Sequence, residues 1–213
     1  MENDLSRIRN EYSQRTLSKQ VVSKDPLEQM RLWLDEAIRS QVNEPTAMNL
    51  ATADSEGIPS SRIVLLKDLT DQGLVFYTNY NSRKGKQIEA NSYVSLVFFW
   101  PELERQVRTE GTVEKAEEEQ ADEYFQSRPE LSRLAAWASD QSSAVPNRSY
   151  LENRMKALTE EFEGQHIPRP PHWGGYIVIP RRFEFWQGRR NRLHDRIEYY
   201  LDDEGWKIQR LAP

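Results

Sequence analysis

The sequence has no cysteine in its 213 residues. That absence excludes a disulfide framework, a thiolate nucleophile, and thiolate-bound zinc or iron–sulfur clusters together, and it fits a reducing compartment such as the cytoplasm. Long apolar runs are also missing: no segment reaches the ~18 to 20 apolar residues that a membrane span requires. The stretch from Met1 to Lys19 mixes both charges and carries no apolar core of a secretory leader. Asn147-Arg148-Ser149, although it has the form of a glycosylation acceptor, is therefore read as coincidence. Histidine is scarce. His166, His172 and His194 have neither HxH nor HxxxH spacing, so no metal site is expected. A Walker loop, a GxGxxG turn and a GxSxG elbow are all absent, which argues against nucleoside triphosphate and dinucleotide folds and the hydrolase elbow.

What is present describes a soluble chain long enough to bury its own core, with 37% hydrophobic and 30% charged residues. The net charge of −5 argues against a general nucleic-acid binder. Positive charge is nevertheless concentrated, with six arginines between Arg181 and Arg196. Composition allows two readings of that cluster: a pocket for a small phosphorylated ligand, or an exposed hairpin of solvated arginines.

Along the chain, the first two dozen residues are polar with Ile8, Tyr12 and Leu17 as isolated apolar points, and read either as a short helix or as a mobile arm. Asp25-Pro26 opens a helix by capping, with Leu27, Met30, Leu34 and Ile38 as its apolar face and a stop near Asn43. Strands are expected over Ala47 to Ala53, Ser60 to Lys67, Leu74 to Thr78, Tyr93 to Trp100 and Gln106 to Lys115, with a short helix from Ser82 to Ala90. Helices follow over Glu117 to Ser127, Glu130 to Ala138 and Arg148 to Phe162, then a stiff Pro168-Arg169-Pro170-Pro171 linker. Four more strands are expected over Gly175 to Ile179, Arg182 to Gln187, Arg192 to Leu201 and Trp206 to Arg210. Many short strands at close spacing suggest an antiparallel barrel in a single α+β domain over residues 25–213, preceded by an arm over residues 1–24.

Three passages carry candidate chemistry. In Val75-Phe76-Tyr77-Thr78-Asn79-Tyr80-Asn81-Ser82-Arg83-Lys84 a strand feeds a helix whose first turn holds two cations. Free N–H groups there favour an anion, and cations placed against the helix dipole cost stability unless one is bound. In Arg62-Ile63-Val64-Leu65-Leu66-Lys67 an apolar strand has a cation at each end. Ideal alternation sends these cations to opposite faces, so a common ligand requires the strand to end or bulge between them. In the passage from Trp186 to Arg196, an extended strand would place Arg192, His194 and Arg196 on one face, an arrangement suited to an anionic ligand.

With these motifs the sequence resembles the pyridoxine/pyridoxamine 5′-phosphate oxidase family. The matching blocks are Asp25-Pro26-Leu27, Pro45-Thr46-Ala47-Met48, Arg62 through Lys67, Val75 through Asn79, Ser82-Arg83-Lys84, Leu103 through Val107 and Tyr124 through Pro129. They continue with Gln141-Ser142-Ser143, Trp173-Gly174-Gly175, Glu184 through Gly188, Arg192 through Arg196, Trp206-Lys207-Ile208 and the terminal Arg210-Leu211-Ala212-Pro213. The resemblance covers nearly the whole chain from Asp25 onward. It implies an antiparallel split β-barrel with surrounding helices, assembled as a cytoplasmic homodimer with two flavin mononucleotide (FMN) sites at the subunit interface.

By the same resemblance, Arg62, Lys67, Arg83 and Lys84 hold the flavin phosphate and neighbouring groups, along the segment that includes Ile63, Val64, Leu65 and Leu66. Tyr77, Thr78, Gln106, Gln141, Ser142, Trp186 and Arg196 contact the rest of the cofactor. Lys67, Tyr124, Arg128 and Ser132 bind the substrate phosphate. Arg192, Leu193 and His194 lie over the substrate, with Arg192 and His194 as the catalytic pair, and Arg9 and Tyr12 close over the site. The implied reaction is oxidation of pyridoxamine 5′-phosphate or pyridoxine 5′-phosphate to pyridoxal 5′-phosphate by hydride transfer from C4′ to the flavin, with O2 as acceptor and H2O2 as product. No metal, nucleic acid or membrane partner is implied. Two alternatives keep part of this: a split-barrel flavoprotein that reduces another substrate, and a carrier of pyridoxal phosphate without catalysis.

Overall fold

The computed structural model describes residues 12, 13 and 15–213. Helix α1 (Pro26–Arg39) begins as the sequence reading expects: Asp25 caps it by accepting from the Leu27 N–H, and Pro26 occupies the first turn. It ends earlier than Asn43, because Gln41 adopts φ 54° and the chain turns there. Its buried face is Leu27, Met30, Trp33 and Ala37, while Leu34 is half-buried and Ile38 is 51% exposed. Trp33 decides the rotation, since its ring packs edge-on to Phe185 at 5.2 Å and lies under the Arg105 guanidinium at 4.2 Å. Before α1, the described residues form no helix. Leu17 is buried there, its N–H donating to Asp195 and its carbonyl accepting from Arg210.

Strands β1 (Ala47–Ala53), β2 (Pro59–Leu65), β3 (Asp68–Leu69) and β4 (Leu74–Asn79) follow, then α2 (Arg83–Ala90), β5 (Tyr93–Trp100) and β6 (Arg105–Lys115). Helices α3 (Glu118–Ser127), α4 (Glu130–Ala138) and α5 (Arg148–Glu161) precede β7 (Trp173–Gln187), β8 (Asp195–Asp202) and β9 (Gly205–Leu211). The sheet order is β2-β1-β5-β6-β7-β4-β3, with β8 on β7 and β9 on β8. The ladders β3–β4, β4–β7, β7–β8 and β8–β9 are antiparallel.

Two expected strands, split at Pro180, are one. In β7, residues 173–178 pair with β4 and residues 182–187 pair with β8, so Pro180, which has no N–H to give, falls between the two ladders. The strand expected from Arg192 begins only at Asp195. Arg190–Arg192 is a single 3₁₀ turn, with φ 57° at Asn191 and 61° at Arg192.

The chain packs into two compact units. One comprises the described residues up to Asn49 with Ser95–Glu110 and Pro180–Pro213, and the other Leu50–Val94 with Gly111–Ile179. The first has Met30, Phe98, Trp100, Phe183, Phe185 and Tyr199 at its centre. In the second, Leu50, Leu74, Phe76 and Val178 are buried along the strands, and Phe125, Leu134, Ile167 and Trp173 form a further cluster with side chains of α3, α4 and α5. Among the described residues no helix is long and apolar enough to cross a membrane, and no group of His, Cys, Asp and Glu is placed to hold a metal.

Candidate functional site

Helix α2 enters from β4 through a tight turn. Ser82 caps it by accepting from the Gly85 N–H at 3.3 Å, and Gly85 is required because a Cβ there would overlap the Tyr80 carbonyl. This geometry drives Lys84 inward. Its ammonium is buried and donates to Thr78 Oγ1 and Gln141 Oε1, each at 3.0 Å, with no carboxylate partner among the described residues. Burial, aided by the nearby Arg62 charge, lowers the Lys84 pKa to about 8.

Lys84 lines a cavity of about 620 Å³ within the second unit. Ile63, Val64, Leu65, Lys67, Tyr77, Thr78 and Gln141 line it with Lys84, and so do Tyr124, Arg128 and Ser132 from α3, α4 and the link between them. Lys67 reaches it because β2 stops at Leu65, two residues short of the strand end expected from the sequence. Leu66 then turns into the core, and the Lys67 N–H bonds to the Val75 carbonyl at 2.8 Å. Arg128 lies with its guanidinium 4.7 Å from the Trp173 ring centroid, and its buried Nη1 has no hydrogen-bond partner among the described residues. Burial lowers the Arg128 pKa. Among the described residues the lining thus offers three cations, Lys67, Lys84 and Arg128, and no acidic side chain. A cavity of that kind is built for an anion.

Arg62 is placed differently. It donates to the Leu50 carbonyl, Thr52 Oγ1 and Ser60 Oγ, and burial followed by the Arg83 charge lowers its pKa. Arg83, Gln141 and Ser142, the last in the left-handed region at φ 73°, line an adjoining cavity of about 490 Å³ beside α2.

Tyr12, Gln106, Trp186, Arg192, Leu193, His194 and Arg196 belong to the first unit, and Arg9 lies outside the described residues. The 3₁₀ turn overturns the expectation that Arg192, His194 and Arg196 share one strand face, since only Arg196 is on β8. Positive φ at Asn191 and Arg192 is a backbone choice that side-chain alternation does not encode. Arg196 is held by Glu184 through two 2.8 Å hydrogen bonds and donates to the Ala212 carbonyl, and Glu184 raises its pKa. Leu193 is 70% exposed.

His194 packs on Trp186, ring centroids 4.7 Å apart, and Tyr12 meets both rings edge-on. A side chain at Gly188 would come within 2.7 Å of Tyr12. The Arg189 N–H donates to His194 Nδ1 at 3.1 Å, so the neutral ring carries its proton on Nε2. Burial and then Arg192 lower the His194 pKa.

Trp173, Asn79, Pro129, Ala135, Ala136 and Ser139 also line the cavity, and none of them is a candidate site residue by sequence. The signal for Trp173 was the Gly174-Gly175 pair behind it. A Cβ at Gly174 would overlap the Tyr80 hydroxyl, and one at Gly175 would lie 2.9 Å from the Tyr77 ring.

The antiparallel sheet and the cation-lined cavity define a split-barrel protein with a cavity suited to an anion. A crystal structure of PhzG from Burkholderia lata 383, in complex with tetrahydrophenazine-1-carboxylic acid, superposes with a TM-score of 0.88 at 32% identity, over 93% of this chain and 98% of that one. A pyridoxamine 5′-phosphate oxidase-related, FMN-binding protein from Nostoc punctiforme shares the fold, with a TM-score of 0.69 at 17% identity, over 90% of this chain and 100% of that one.

In sequence, residues 34–160 match the family described as pyridoxamine 5′-phosphate oxidase, and residues 173–213 match the pyridoxine 5′-phosphate oxidase C-terminal dimerisation region. A pyridoxine/pyridoxamine 5′-phosphate oxidase from Neisseria meningitidis serogroup B is 56% identical over 99% of this chain and 100% of its own. One from Gloeothece citriformis is 50% identical over the full length of both. The chain belongs to the pyridoxamine 5′-phosphate oxidase family.

Proposed function

We infer that this protein is an FMN-dependent enzyme that oxidises pyridoxamine 5′-phosphate and pyridoxine 5′-phosphate to pyridoxal 5′-phosphate. The observation that carries the reading is a cavity lined by Lys67, Lys84 and Arg128 with no acidic side chain among the described residues that line it, in a chain of this family. The residues fit the cofactor: a buried ammonium without an anionic partner among the described residues, next to a helix N-terminus, suits a phosphate monoester. Bound FMN supplies the two-electron acceptor chemistry that the side chains lack. With O2 as the final acceptor, the amine, O2 and water give the aldehyde, ammonia and H2O2, while the alcohol and O2 give the aldehyde and H2O2.

The remaining steps are binding and orientation. Arg62, Arg83 and Lys84 hold the cofactor phosphate, and the segment from Ile63 to Lys67 with Tyr77, Thr78, Gln141 and Ser142 packs the rest. Lys67, Tyr124, Arg128 and Ser132 take the substrate phosphate. Gln106, Trp186 and Arg196 complete the cofactor contacts, and Arg192 and His194 orient the substrate, with Leu193, Tyr12 and Arg9 beside them. His194, neutral and with Nε2–H outward of its Nδ1 bond, donates a hydrogen bond or relays a proton at that nitrogen. The protein works as a homodimer, which the matched C-terminal dimerisation region supports. A cytoplasmic location goes with substrates that are charged esters.

The test is the visible spectrum of the purified protein before and after anaerobic pyridoxamine 5′-phosphate. A flavin band that bleaches, and returns in air as pyridoxal 5′-phosphate forms, is the expected result. A flavin band that ignores both B6 phosphates would replace this reading with a split barrel acting on another substrate. Absence of flavin after reconstitution would leave a carrier.

A further inference from the structure

Arg128 is held in an unusual way for a half-buried guanidinium. Among the described residues no acidic side chain lines its cavity, and its Nη1 has no partner. What it has instead is aromatic: the Trp173 ring at 4.7 Å and the Phe125 ring at 5.6 Å. A π face attracts a guanidinium without neutralising it, whereas a carboxylate would consume both its charge and its hydrogen-bond donors.

The same indole organises the other wall. Tyr77 lies parallel to Trp173 at 5.5 Å and stacks on Tyr124 at 4.0 Å, while Phe125 meets Trp173 edge-on at 5.1 Å. The main chain of Trp173 is pinned: its backbone N–H donates to the Pro170 carbonyl at 3.0 Å, and its carbonyl accepts from Arg169 at 2.8 Å, with the Arg169 Nε bonded to Asp122. The glycines at 174 and 175 let the strand that carries it approach Tyr80 and Tyr77 this closely.

We infer that Trp173 is the positioning residue through which the cavity selects phosphate esters: its indole face orients Arg128 and leaves the Nη1 of that guanidinium open to the phosphate dianion of the ligand. The inference rests on the reading that the Tyr124, Arg128 and Ser132 end receives the substrate phosphate. Tyr124, on the same stack through Tyr77, is set by the same ring.

The experiment is steady-state kinetics of FMN-loaded enzyme with pyridoxine 5′-phosphate, alongside the Kd for FMN, in Trp173→Leu, Trp173→Met, Trp173→Phe and Arg128→Ala. Loss of the ring face should raise KM about tenfold or more with kcat within about twofold, because only ligand binding is weakened. Trp173→Phe, which restores a π face, should bring KM back to within about threefold of wild type. The FMN Kd should stay within about twofold throughout. Trp173→Met fills the core with an apolar, flexible chain and carries the test if Trp173→Leu does not fold.

A wild-type KM in the Leu or Met variant overturns the inference. So does an FMN Kd that rises in step with KM, or a failure of both variants to fold and bind FMN, since each marks a purely structural role. An unchanged KM in Arg128→Ala sinks the underlying assignment of the phosphate end. A raised KM there, with none in the Trp173 variants, sinks the inference alone.

Discussion

Lys84 shows how one side chain acquires a function from its surroundings. A lysine in the first turn of an exposed helix would be a mild electrostatic fault; buried against Thr78 and Gln141 it becomes a cation waiting for an anion. Its folded pKa of about 8 lies below the ordinary 10.5. Between those values the unfolded chain binds more protons than the folded one, so the contribution of Lys84 to the stability of the FMN-free protein rises with pH across that window. Phosphate binding reverses the preference and favours the charged form. Affinity for FMN should therefore weaken as pH rises past about 8, with uptake of a proton on binding, while riboflavin, which lacks the phosphate, should show no such slope. Fluorescence titrations of both flavins from about pH 7 to pH 9.5 check this. Parallel curves would remove Lys84 from the phosphate site.

At the scale of the element, the turn between β4 and α2 is the part most exposed to small changes. Ser82→Ala removes the cap and should cost about 1 kcal/mol. Gly85→Ala should cost more and also weaken FMN binding, because the added methyl displaces the Tyr80 backbone and with it the start of the helix that aims Lys84. Thermal denaturation with and without FMN separates the two: Ser82→Ala should lower both melting temperatures alike, and Gly85→Ala should shrink the gap between them. Equal shifts in the two variants would show that the turn positions nothing. Strand β7 makes a related point, since it tolerates Pro180 only at the place where it changes pairing partner from β4 to β8.

For the molecule as a whole, the C-terminal residues 173–213 match a dimerisation region and include β7, β8, β9 and the Arg190–Arg192 turn. The protein should sediment at about twice its 25.1 kDa chain mass, and FMN should shift the equilibrium further toward the dimer if the cofactor binds that form preferentially. Analytical ultracentrifugation with and without FMN measures both. A monomer at micromolar concentration with full flavin content would refute the homodimer.

Much was legible along the chain. Residues 47–53, 93–100 and 130–138 adopt the expected elements with the expected ends, because each obeys one hydrophobic period between clear punctuation. The Ser82 cap and the company of Tyr124, Arg128 and Ser132 also follow from local spacing and family resemblance. Three features did not, each for a reason that only packing supplies. Trp33 took the buried face from Leu34 and Ile38 because the space beside Phe185 and Arg105 favours a large ring. Residues 190–192 left the extended conformation through positive φ values, which residue type alone does not dictate. Trp173 looks like a core residue at the head of a strand, and becomes part of the site only because Arg128, distant in sequence, folds across its face. Periods and caps are short-range and written in the chain. A guanidinium on an indole 45 positions away is a tertiary contact, and shape alone decided it.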